Sequence, residues 1–269
     1  MVTTPHPRPQ PTQPLTITWE KLPDDIPLED EPVESTAQPL IAGALREPLE
    51  LTGYLKPEML VAGNLGLCAT LNDKLVIKAP DWLYVASVQA SLSDRRSYTP
   101  NLEGEVPRVV MEFLSHTEGD EYSAKPTFPP GKWFFYEQIL QVPTYVLFAP
   151  TTGELEVYQR QSGGYELALP DAENRYWLAD MKLFLGVWQG EKEGRVGFWL
   201  RWWDAAGNLL LWAVEKVQQE RDRAEQERSR ADQERDRAEQ ERSRADQERD
   251  RAERLAEYLR SQGIDPNAI

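Results

Sequence analysis

Up to Trp212 the chain alternates between short apolar runs and turn-rich polar stretches; beyond it the apolar runs cease. Leu40, Ile41, Ala44, Leu45 and Leu49 recur at helical spacing, which predicts a helix over 39–51, closed by Gly53 and Pro57. Met59–Ala69 is apolar and small, Leu71–Lys74 is turn-like, and Leu75-Val76-Ile77 returns as a β-branched strand, giving a hairpin. Pro80 interrupts pairing. Trp82–Val88 and Val106–Ser115 read as further strands, separated by the polar loop Ser91–Gly104. A second irregular loop, 116–130, carries Glu118, Asp120, Glu121 and Lys125. Lys132–Leu140 then shows helical spacing through Trp133, Tyr136, Ile139 and Leu140, and Pro143 stops it. Thr144–Phe148 is a strand, and turns at 151–154 and 162–164 lead to strands Leu155–Tyr158 and Tyr165–Leu169. Trp177–Trp188 reads as one strand, and Val196–Trp203 with Leu209–Trp212 as a last hairpin. The predicted class is α+β.

From Gln219 two heptads alternate, Gln-Glu-Arg-Asp-Arg-Ala-Glu and Gln-Glu-Arg-Ser-Arg-Ala-Asp, in a fourteen-residue period. Alanine recurs at 224, 231, 238, 245 and 252, with Leu259 next in the row. Opposite charges three and four residues apart predict one continuous helix, ended by Gly263 and Pro266. A strict seven-residue period suggests a left-handed coiled coil, yet a stable seam wants two apolar residues per heptad and here there is one alanine. A solitary charged helix and an alanine-seamed self-associating helix are both open; the exact period favours self-association. The organisation read from the sequence is an extended, disordered segment 1–35, a folded body 36–212, a charged heptad-repeat helix 213–262 and a tail 263–269.

Composition narrows the classes. Nine tryptophans and 40% hydrophobic residues supply a sizeable core, and the single cysteine, Cys68, excludes an intramolecular disulfide and a cysteine-based zinc site. Neither a membrane-length apolar run nor a secretory signal is found, so a cytoplasmic protein without membrane contact is expected. The net charge is −15. Residues 1–212 hold 17 basic and 29 acidic side chains, and residues 213–269 hold 13 and 16, so the acidity belongs to the body. That balance opposes a DNA-coating protein, whose affinity comes from cationic contacts to phosphate. An enzyme that gathers acids around a metal ion remains compatible.

Glu112 stands out, because it interrupts the apolar run Val109–Ser115, and a carboxylate buried there must be neutralised, paired or cation-bound. Asp81 lies at the mouth of the neighbouring run, and Lys132 opens the helix that follows. Two acids and a lysine at adjacent strand ends are the parts of metal-assisted phosphodiester hydrolysis. Against this stands a plain ion pair, with Glu112 on an edge strand beside Lys132 or Arg108. Arg95-Arg96 could grip a phosphate or form a solvated loop tip.

The assembled parts resemble the Uma2 family of endonucleases, in its cyanobacterial form with a coiled-coil tail. The matching residues are Pro80-Asp81 and the strand after it, Met111-Glu112-Phe113-Leu114-Ser115, Lys132 with Tyr136, and Val142–Pro150. The resemblance covers residues 36–170. It implies a restriction-endonuclease-like fold of the PD-(D/E)xK class: a mixed sheet flanked by helices, with extra β-hairpins and the long charged helix added. It implies Asp81 and Glu112 as carboxylates for Mg²⁺ or Mn²⁺, Lys132 as the catalytic lysine and DNA as substrate. The usual lysine two residues after the acid is Leu114 here, so the role passes to Lys132 on the next helix. A further metal-binding acid, usually preceded by glycine, falls on Glu58, which follows Pro57 instead. Ser115-His116 replaces the family's Ser-Pro. The alternative is a catalytically inactive scaffold that self-associates through its C-terminal helix.

Overall fold

The computed structural model describes residues 16–19, 36–89, 94–114 and 120–263. The segment 1–35, expected to be extended and disordered, lies outside the described residues apart from 16–19, as do Ser115 with His116, Glu118 and the tail 264–269. The chain divides into two units, Met1–Trp212 and Ala213–Ile269. The first is mixed α+β, as predicted.

Its centre is a six-stranded sheet in the order β10-β9-β8-β7-β5-β2, made of Gly164–Leu167 (β10), Leu155–Gln161 (β9), Thr144–Phe148 (β8), Val109–Phe113 (β7), Trp82–Val85 (β5) and Leu60–Ala62 (β2). β7 and β8 run parallel; every other neighbouring pair is antiparallel. Parallel strands need a crossover, and the segment between β7 and β8 carries α2, Lys132–Phe134, which runs on as a π-helix over Phe135–Leu140. β5, β7 and β8 are buried along their whole lengths, which explains their largely apolar sequences, with Glu112 the one charged residue in them.

Alternate residues sort the core into two layers. Trp82, Tyr84, Val109, Met111, Phe113, Val146 and Phe148 pack with α1 (Ala37–Leu51) and with the sheet of β11 (Arg175–Leu178), β12 (Leu183–Lys192) and β13 (Arg195–Trp203). Leu83, Val85, Val110, Tyr145 and Leu147 pack with α2 and with a smaller sheet of β1 (Ile17–Thr18), β3 (Gly66–Leu71), β4 (Lys74–Lys78) and β6 (Ser97–Tyr98). The β3–β4 hairpin turns at Asn72-Asp73, both at positive φ, as a tight two-residue turn requires.

The tryptophans bind α1 to this frame. Pro48, in the last turn of α1, has no N–H, so the Ala44 carbonyl lacks its ordinary helical donor. The Trp212 indole N–H donates to Ala44 O at 2.8 Å, and that of Trp202 to Leu45 O at 2.9 Å. Of the tryptophans in and after β13, Trp199, Trp202 and Trp212 are buried in the core, while Trp203 is only partly buried.

Two predicted strands need correction. Trp177–Trp188 is not one strand, because a turn over 179–182, with Lys182 at positive φ, splits it into β11 and β12. The Asp180 and Lys182 positions mimic strand alternation, while Met181 drops into the core between them. Leu209–Trp212 forms a single bridge to Trp203 and no strand.

The second unit contains one helix, α3 (Ala213–Ser261), 49 residues long and with no buried residue. At 1.5 Å per residue it extends about 70–75 Å. Arg223–Glu227 and Arg249–Glu253 form exposed ion pairs at 3.3 and 3.1 Å, each worth about 0.2–0.5 kcal/mol. Among the described residues no helix is long and apolar enough to cross a membrane.

Candidate active site

The register of β5 against β7 builds the site. Trp82 opposes Met111, and one step further sets Asp81 opposite Glu112. Directly opposed residues of an antiparallel pair share a face, with Cβ atoms about 5 Å apart. Strand alternation turns Val110 and Glu112 toward α2. Lys132 and Tyr136 lie four apart on that helix, hence on one side of it, and both reach Glu112. The Tyr136 hydroxyl donates to Glu112 Oε1 at 2.8 Å, and Lys132 Nζ lies 3.4 Å from Oε2. The Phe113 N–H donates to Asp81 Oδ2 at 2.6 Å. Asp81, Glu112 and Lys132 therefore stand together.

The edge-strand reading of Glu112 is corrected: β7 lies between β5 and β8, and Glu112 is only 2% exposed. Arg108 pairs with Glu105 at 2.7 Å instead. Glu58 is not part of the group. Its carbonyl receives the Val88 N–H, beyond the far end of β5, and its side chain is exposed. Asp81 precedes the first residue of that strand, so Glu58 lies roughly 20 Å away along it. Arg95 turns to Glu103, at 3.8 Å, and to the Tyr98 ring.

A third acid joins the site. Glu121 is 1% exposed, and its Oε1 lies 3.2 Å from Lys132 Nζ. Local contacts fix its loop. Lys78 pairs with Asp120 at 2.8 Å, the Tyr145 hydroxyl donates to Glu121 O at 3.0 Å, and Tyr122 stacks on Trp133. The loop closes on Gly131, where a Cβ would collide with the Ser123 carbonyl and side chain. Glu121 Oε2 is buried with no hydrogen-bond partner. Sequence reasoning missed this role, because Glu121 is one of several charges in an irregular loop, and only tertiary folding separates it from Asp120. Tyr136, read from the sequence as an apolar position of the helix and as part of the resemblance, turns out to be a direct partner of Glu112.

Three carboxylates stand around one ammonium, with Glu112, Glu121 and Lys132 all buried. Burial pushes Glu112 up to about 8; Lys132 and the Tyr136 hydroxyl oppose that rise, while Asp81 and Glu121 add to it. Burial likewise raises Asp81 to about 6, against the pull of the Phe113 N–H and Lys132. Tyr136 is held well above its ordinary value, first by burial and then by the neighbouring Glu112.

Fully ionised, the group would carry two uncompensated negative charges, and its donors are all oxygen. An orphaned carboxylate oxygen, that charge deficit and hard donors fit Mg²⁺ or Mn²⁺. Among the described residues no three His, Cys, Asp or Glu side chains already surround one point; Glu112 and Glu121 converge instead on the lysine ammonium.

A family model, Uma2, described as "Putative restriction endonuclease", matches residues 41–188. The match takes in α1 from Ile41 onward, the whole central sheet and the whole acid–lysine group. No match is found among curated proteins.

Proposed function

The chain belongs to the Uma2 family, and from that premise we propose that it is a metal-dependent endonuclease hydrolysing phosphodiester bonds in DNA. The observation that carries the reading is the buried pairing of Asp81 and Glu112 across β5 and β7, with Lys132 against them. Asp81, Glu112 and an Mg²⁺ or Mn²⁺ ion would form the centre. When bound, the ion would lower the pKa of a water and offset charge on the phosphate. The Phe113 N–H fixes one Asp81 oxygen and so directs the other. Tyr136 orients Glu112 through Oε1, leaving Oε2 toward Lys132. Lys132 would steady the attacking water or the charge that develops on the phosphate.

The test is plasmid and single-stranded DNA incubated with the purified full chain and Mg²⁺ or Mn²⁺, beside Asp81→Asn and Lys132→Gln. Cleavage by the parent chain alone supports the assignment. Cleavage undiminished in Asp81→Asn removes it. Absence of cleavage with either ion favours the inactive scaffold.

Self-association through α3 belongs to the same proposal. Glu220, Glu227, Glu234, Glu241 and Glu248 line one flank of the alanine row; Arg221, Arg228, Arg235, Arg242 and Arg249 line the other. Two copies facing each other in parallel are related by an axis along the helices, which sets Glu against Arg on both flanks. Antiparallel pairing sets Glu against Glu and Arg against Arg. The charge rows therefore favour a parallel pair, with both bodies at one end. Ala224→Cys and Ala252→Cys distinguish the cases: each should oxidise to a dimer by itself if parallel, whereas only their mixture should if antiparallel. A monomer by sedimentation at all concentrations rejects pairing altogether.

A further inference from the structure

We propose that Glu121 is a third carboxylate ligand of the divalent cation, binding it through Oε2 while Oε1 keeps hold of Lys132. The inference rests on the metal-dependent reading above and names a residue that the motif comparison with the family does not supply.

A buried carboxylate oxygen without a partner is rare, because it forfeits hydration and gains nothing in return. Glu121 Oε2 is such an atom, inside a group that already holds two other acids. Its counterpart Oε1 is engaged, 3.2 Å from Lys132 Nζ. The two oxygens thus have different tasks available to them, one toward the ammonium and one toward a further cation. One ammonium cannot balance three carboxylates; the ammonium and a divalent cation together can.

Position supports the same conclusion. Asp120 and Glu121 are adjacent acids with opposite fates: Asp120 goes outward to Lys78, Glu121 inward to Lys132. The alternation is enforced by the Tyr145 hydroxyl on the Glu121 carbonyl and by Tyr122 stacked on Trp133. If Glu121 only neutralised Lys132, Glu112 would already serve, and the second buried acid would add repulsion. A metal-ligand role accounts for that cost; charge-pairing alone does not.

The probe is Mn²⁺ on the full chain, its binding measured by electron paramagnetic resonance and titration calorimetry, with no dependence on DNA cleavage. Glu121→Gln should weaken Mn²⁺ affinity about tenfold or more while near-ultraviolet circular dichroism stays native. Glu121→Asp, which keeps the charge but shortens the reach, should fall between the two, and it serves if the glutamine variant misfolds. Glu58→Gln, exposed and remote from the group, should bind as the parent does. Parent-like Mn²⁺ affinity in Glu121→Gln, with affinity lost in Asp81→Asn, overturns the ligand role and leaves the metal centre standing. No Mn²⁺ uptake by the parent chain overturns both.

Discussion

Asp81→Asn should make the body more stable at pH 8 while abolishing cleavage. Burial raises the Asp81 carboxyl from 3.8 to about 6, so ionising it costs the fold about 3 kcal/mol at 1.4 kcal/mol per unit. The sign follows from the direction. A folded-state value above the unfolded one gives stability that is complete below about pH 3.8 and is lost as pH rises through about 6. Asparagine carries no such penalty. It keeps an acceptor for the Phe113 N–H, whose pull on the carboxylate is already contained in the value of about 6. The net expectation is a variant about as stable as the parent near pH 4 and about 3 kcal/mol more stable at pH 8. Urea unfolding in chelator, followed by tryptophan fluorescence, measures this cleanly, since all nine tryptophans precede residue 213. A variant less stable than the parent at pH 8, or an offset that does not change between pH 4 and 8, would falsify the desolvation argument. In the parent, Mn²⁺ at a hundred times its dissociation constant should restore about 2.7 kcal/mol; in the variant it should restore far less.

Three further outcomes are expected. Gly131→Ala drives a methyl group into Ser123 and should displace the Glu121 loop, with about 1–3 kcal/mol lost in urea titration and weaker Mn²⁺ uptake. Trp212→Phe keeps an aromatic ring but leaves the Ala44 carbonyl without its donor; the same titration should show a loss of about 1–3 kcal/mol, and a neutral result would mean that the Pro48 gap is filled by other means. Cys68 is buried in β3, and burial pushes its thiol up to about 12, so Ellman's reagent should leave it untouched in the native chain and modify it fully in urea.

Much of this was legible in the amino-acid order. The strands around Asp81 and Glu112 could be read because a fully buried strand must be apolar throughout, and the one acid in β7 then declares itself. Lys132 could be read because it opens the helix after β7, whereas Tyr136 was counted among that helix's apolar positions and its bond to Glu112 was not foreseen. Glu58 was misplaced because a motif fixes the order of residues along the chain, whereas pairing direction decides which strand end they occupy. Antiparallel pairing of β2 with β5 sends Glu58 to the wrong end. Glu121 was illegible for a different reason: an irregular loop has no period, and its inward residue is chosen by distant partners such as Tyr145 and Lys78. The split between β11 and β12 was hidden because a short turn with one buried methionine imitates strand alternation.

The perfect recurrence within α3 has a genetic corollary. Duplication or loss of one fourteen-residue block changes the helix by about 21 Å and leaves every row of side chains continuous across the junction. Its extent is therefore free to drift by unequal recombination, as the links of a chain can be added or removed, without altering the sequence of the folded body. Homologous copies from different strains should differ in whole blocks, and rarely by single residues.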